Sequence, residues 1–197
     1  RLHIIIASNA NWVVPAAIDD RRCVVFDVSE PHRNDKRYFV PLYAEMEQGG
    51  IAAMMYDLLA MDLGGWHPRY DVPQTPALAD QKIHSLSAED EWWLSLLQTG
   101  DLPGTAHESN PLLAQSRALL EHMHKTVFRL RYCTEHRLGR VLKDHGCDRK
   151  SDWRIGGKRA WQFPPLKKAR AAWDEKVGVA TEWEPTSGEW EHSRDYM

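Results

Sequence analysis

Two short runs near the start, LHIIIA at 2–7 and CVVFDV at 23–28, are dense in β-branched residues and bounded by Ser, Asn, Pro and Asp. Each predicts a largely buried strand, and both are expected in one sheet. From Asp35 to Leu63 the apolar spacing becomes helical. Tyr38, Leu42, Ala44 and Met46 precede Gly49-Gly50, and Ile51, Met54, Met55, Leu58 and Leu59 follow, so two helices meet at a glycine break. DLGGWHPRYDVPQTP then reads as a surface connection. Helical spacing returns at 76–85 and 88–98, the second opening with Ser87 as N-cap and three acids in its first turn. GDLPG at 100–104 is the best candidate boundary between domains. Beyond it the pattern predicts a helix over 110–131 and a Thr134-capped helix ending at Gly146. DWRIGGKRAWQFPPL alternates large residues about a Gly-Gly, as a β-hairpin does, and LKKARAAWDEKVG is a last helix. From Val179 the chain is acidic and rich in Trp without a period, and is expected to be extended or disordered, or docked only through its tryptophans.

Composition sets the class. A chain of 197 residues with 43% apolar content can form one ordinary domain or two small ones. Cys23, Cys133 and Cys147 are far apart and lack CxxC spacing, which suggests neither a disulfide framework nor a zinc site and fits a reducing cytoplasm. No apolar run approaches the ~20 residues that span a bilayer, so no membrane partner is expected. Arg1 leads directly into an apolar run, which reads as a fragment of a longer protein. The net charge of −3 conceals a strong division. Residues 1–120 hold 9 basic against 16 acidic side chains, residues 121–176 hold 15 against 7, and residues 177–197 hold 1 against 5. A basic segment of this kind either attracts polyanions or forms a solvated helix face. The succession of helices and a hairpin within it is the order of a winged-helix variant of the helix-turn-helix.

The candidate chemistry follows from these placements. IGGKRA at 155–160 superficially resembles a phosphate loop, but Arg159 follows the lysine and the context is a hairpin, so its glycines are read as turn residues with a basic tip. Asn9, at the carboxyl end of a predicted strand, either orients a nucleophile for phosphoryl transfer or caps a turn. Arg21 and Arg22 either offer a charged fork to a transferring phosphoryl group or pair with Asp19 and Asp20. The histidines show no metal-ligand spacing, and Trp92 and Trp93 are expected in the core. For DNA, the candidates are Arg137, Arg140 and Lys143 on one face of the 134–146 helix, with Leu138 and Leu142 facing inward. Arg154, Lys158 and Arg159 of the hairpin join them, with Trp153 and Trp161 nearby. Such groups neutralise phosphates without reading sequence.

The stretch IIIASN, a loop with Trp and Pro, DDRR and a strand ending DVS resembles the carboxyl-terminal half of the ATPase in phage and plasmid primase-helicases, within helicase superfamily III of the AAA+ class. RYFVPLYAEMEQGGIAAMMYDLL, DVPQTPALADQKIHSL and EDEWWLSLLQTG are similar to segments that follow that core, so the resemblance covers about residues 2–100; GKRAWQFPPLKKAR is similar more loosely. The resemblance implies the C-terminal part of an AAA+ α/β core (1–62) and a helical connection (63–104); with the winged-helix-like basic domain (105–178) read from the order of elements and the acidic flexible tail (179–197) read from composition, the chain is expected to be α+β and mostly helical. It implies that Asn9 is the sensor contacting the γ-phosphate and that Arg22, or its neighbour Arg21, is the arginine finger reaching the next subunit. In the full-length protein it implies ATP and Mg²⁺ as cofactors, self-association as a ring, and single-stranded DNA as partner. The family's phosphate loop and metal-binding acidic strand do not occur in these residues, so this chain alone is expected to bind no cofactor and to be inactive. The rival reading is a non-enzymatic winged-helix DNA-binding or phage assembly or regulatory protein.

Overall fold

A computed structural model describes residues 4–20, 22–104, 110–149, 152–185 and 188–193. Arg21 lies outside the described residues. The helices whose caps are written in the sequence form where those caps stand. Thr75 accepts the Leu78 N–H and Pro76 fills the first turn of α3 (Pro76–His84), while Ser87 accepts the Asp90 N–H at the start of α4 (Ala88–Thr99). Thr134 caps α6 (Glu135–Asp144), which follows α5 (Ser116–Thr126) and a single tight turn at Phe128–Leu130. The last helix, α7 (Leu166–Val177), ends at Gly178 in the left-handed region.

Two small sheets accompany these helices. β2 (Leu113–Gln115), β4 (Lys158–Gln162) and β3 (Arg154–Ile155) form an antiparallel sheet in the order β2-β4-β3. Gly156 and Gly157, at φ 54° and 75°, make the two-residue turn between β3 and β4. β1 (Asp101–Pro103) pairs in parallel with β5 (Glu191–Ser193). The acidic tail is therefore docked by a strand as well as by Trp190, which is buried, and Trp183, which packs against the core.

One continuous apolar cluster runs from Ala79 to Trp190 and takes side chains from α4, β1, α5, α6 and α7. Trp92 and Trp93 lie at its centre, and Trp93 stacks on Phe163 at 5.8 Å. The 100–104 segment carries β1, with Leu102 fully buried in this same cluster. What results is a mixed fold dominated by helices, and among the described residues no helix is long and apolar enough to cross a membrane.

Two expectations are corrected. The described parts of 2–7 and 23–28 form no strand: Ile4, Ile5 and Ile6 are 71%, 99% and 61% exposed, and Phe26 and Val28 are also bare. A strand needs neighbours to take its N–H and C=O groups, and two such short runs alone make at best a marginal ribbon. What is drawn onto α3 is the segment after the first run, and the second run at its middle. Gln81 accepts from the Val13 and Val14 amides and donates to the Asn11 carbonyl, and Thr75 donates to the Val25 carbonyl. The second correction concerns 110–131, where the helix begins only at Ser116. Leu113, Ala114 and Gln115 pair with Gln162, Trp161 and Ala160 as β2.

The two helices meeting at a glycine break in 35–63 form as predicted, with α1 (Lys36–Glu45) and α2 (Ile51–Ala60) separated by an irregular Gln48–Gly49 step. Neither helix buries a residue, so Phe39, Leu42, Met54 and Leu58 all face water.

Candidate nucleic-acid interface

α6 is amphipathic, with Leu138, Val141 and Leu142 buried. Its exposed side divides into two flanks. On one, Arg137 bonds Glu89 of α4, its Nε lying 2.6 Å from the carboxylate. The three acids in the first turn of α4 take up further cations here: Arg129 pairs with Glu91 at 2.5 Å and Lys176 with Asp90 at 3.3 Å. His145 stacks on Trp93 at 4.5 Å with Nε2 3.5 Å from Asp90. Burial first, and the nearby Lys176 second, lower its pKa to about 4, so it is neutral at pH 7.

The other flank of α6 faces the β3–β4 hairpin. Trp161 of β4 lies so near the helix that a Cβ on Gly139 would come within 3.3 Å of its indole ring. Beside this contact runs a cleft of about 390 Å³ lined by Glu135, His136, Gly139, Arg140, Lys143, Arg149 and Trp161. His136, Arg140 and Lys143 follow one another at spacings of four and three along one stripe of α6. Arg149, from the loop after the helix, places its guanidinium 5.3 Å from the centre of the Trp161 ring.

The pleat adds two more charges on this side. Arg159 and Trp161 are two apart on β4 and share a face, and Arg154 is the direct cross-strand partner of Arg159. Lys158 points to the opposite face with Ile155. There it helps the Arg117 hydrogen bond, the larger cause, to hold the Glu121 carboxyl below its ordinary pKa. Arg140, Lys143 and Arg159 have no carboxylate partner among the described residues, whereas Arg137 has one. The structure thus gathers Arg140, Lys143, Arg154 and Arg159 of the sequence candidates, turns Lys158 away, and commits Arg137 to Glu89. Sequence reasoning missed Arg149 and His136. The His136–Arg140–Lys143 stripe was available from helical spacing, but nothing local signals where a loop residue such as Arg149 points.

The residues proposed for ATP chemistry sit differently. Asn9 is exposed on an irregular segment, and Arg22 is exposed beyond a turn in which the Asp20 carboxylate accepts the Arg22 and Cys23 amides. Asp19 and Asp20 also act through space on buried Lys82, opposing the burial that lowers its pKa. The Gly156-Gly157-Lys158 run lies on a hairpin turn rather than between a strand and a helix, so it does not fit a triphosphate cradle. Among the described residues, no three His, Cys, Asp or Glu side chains come together to hold a metal ion. Comparison with protein-family models, curated proteins and solved structures finds no match to this chain.

Proposed function

We propose that the chain is a DNA-contacting part of a phage or prophage primase-helicase, and that the groove between α6 and the β3–β4 hairpin is its nucleic-acid surface. The observation that carries this reading is the convergence of five cations from three separate segments on one side of the molecule: Arg140 and Lys143, Arg149, and Arg154 with Arg159. Two of them, Arg154 and Arg159, stand directly opposite each other across a ladder, an arrangement that costs stability and is relieved by a polyanion. Once β1 is set aside in its separate pairing with β5, the order α4, β2, α5, α6, β3, β4, with the sheet order β2-β4-β3, supports a winged-helix-like module with α6 as its recognition helix and the glycine turn as its wing.

Fluorescence anisotropy of the chain with oligonucleotides over a salt series tests the groove. Five phosphate contacts give a slope of log affinity against log salt of about −3 to −4 on a single strand. Arg140→Ala and Lys143→Ala each lower the slope magnitude by about 0.7 and weaken all sequences alike, while Arg137→Ala leaves the slope nearly unchanged. A flat salt response in the parent chain overturns the reading.

The ATPase part of the proposal rests on the likeness of residues 2–100 to superfamily III helicases, in which Asn9 and Arg22, with Arg21 as alternative, act in an ATP- and Mg²⁺-dependent ring on single-stranded DNA. The exposure of Arg22 is compatible with reaching a neighbouring subunit. A second reading, a non-enzymatic winged-helix DNA-binding or assembly protein, is favoured by the absence of a supporting strand beneath Asn9 among the described residues. The native gene separates the two. GxxxxGK[ST] encoded within roughly a hundred residues upstream of Arg1 supports the helicase, and a reading frame that starts at Leu2 removes it.

A further inference from the structure

The turn between α5 and α6 presents two large rings to water. Phe128 and Tyr132 are 73% and 83% exposed, and the Arg131 guanidinium lies 3.9 Å from the centre of the first ring and 5.0 Å from that of the second. The backbone beneath them is fixed. Val127, Leu130 and Cys133 are buried in the core, Leu130 N–H donates to the Val127 carbonyl and Cys133 N–H to the Leu130 carbonyl, each at 2.8 Å. His124 Nε2 bonds the Cys133 carbonyl at 2.8 Å, and Arg129 is held by Glu91. The rings are therefore displayed from a hydrogen-bonded turn whose Val127, Leu130 and Cys133 are buried.

Two residues after Tyr132 comes Thr134, the cap of α6, so the rings stand at the end of the helix where the His136–Arg140–Lys143 stripe begins. From residue 135 to 143 the helix advances about 12 Å, the axial length of three or four stacked nucleotides. A cationic group among exposed rings, at the start of the helix that lines the basic groove, matches a polyanion that also offers flat π faces. A duplex hides those faces inside its stack, and an unpaired strand does not.

We propose that Phe128 and Tyr132 stack unpaired bases of a single-stranded nucleic acid whose phosphates follow the α6–hairpin groove. The inference rests on the groove reading above and adds a preference that charge alone does not create. Base–aromatic stacking is sequence-tolerant, so the preference is for unpaired strands of any base composition. Arg131 leaves its ring contacts to cover the base or meet a phosphate.

The test uses the 197-residue chain with a labelled oligo-dT of about twenty nucleotides, a duplex of equal length, and an abasic strand of equal length. The double variant Phe128→Ala, Tyr132→Ala is expected to bind oligo-dT at least about tenfold more weakly than the parent, with the salt slope unchanged. The parent and the variant should bind the abasic strand alike, and the swap Phe128→Tyr, Tyr132→Phe should retain the parent affinity. Matched thermal melts verify folding, which the exposure of both rings favours. If the double variant binds oligo-dT as the parent does, the stacking site is overturned while the groove stands. If the parent shows no salt-dependent binding to any of the three probes, the groove falls and this inference with it.

Discussion

At the residue scale, what matters is which cation is already engaged. The basic excess of residues 121–176 was plain from counting, but counting could not separate Arg137 and Arg129 from Arg140 and Lys143. The partners that neutralise the first two, Glu89 and Glu91, lie 48 and 38 residues away in sequence, beyond the reach of any local pattern. Arg154 and Arg159 illustrate the opposite case, because hairpin register alone makes them neighbours. Arg159→Thr removes a like-charge cross-strand pair and supplies a residue that suits a strand. The expected result is a gain of a few tenths to about 1 kcal/mol in urea unfolding, together with weaker oligonucleotide binding. Stability and affinity moving in opposite directions would mark the pair as kept for its charge.

At the element scale, helices were legible because their ends are written locally. Thr75-Pro76, Ser87, Thr134 and Gly178 each act within one turn of chain, and each ended or began a helix as expected. Strands were not legible to the same degree, since a strand is defined by a partner elsewhere. Residues 4–7 and 23–28 have the composition of strands and no ladder, whereas 113–115 read as helix and found β4 more than forty residues later. The Gly-Gly hairpin was readable because its partner is adjacent. Gly139 is where the Trp161 ring of the sheet lies against the helix, and Gly139→Val tests that approach. A β-branched side chain there meets the Trp161 ring, and this overpacking outweighs the few tenths of a kcal/mol that valine gains over glycine in helix propensity, so a loss of about 1–3 kcal/mol is expected from thermal unfolding. The groove between the two elements should widen, and oligonucleotide affinity should fall with stability.

At the scale of the whole molecule, the core from Ala79 to Trp190 carries the only two histidines whose neutral form the structure clearly favours among the described residues. Burial lowers His122 and His145 to about 4 each, and Trp92 donates to His122 Nδ1 at 2.9 Å. An unfolded histidine titrates near 6.5, so between about pH 6.5 and 4 the unfolded chain binds more protons than the folded one. The stability due to these groups is complete above that window and is lost as the pH falls through it, by about 2–3 kcal/mol for His145. Melting temperatures compared at pH 7 and pH 4.5 check this. His145→Phe, which keeps a ring on Trp93, should flatten the dependence.

The α1–α2 segment, which buries none of its residues, has a different consequence. Its greasy surface gains from any encounter that dries it, and that gain grows with warming and with excluded salts such as sulfate. Concentration and solvent, more than shape, will decide what first sticks to it.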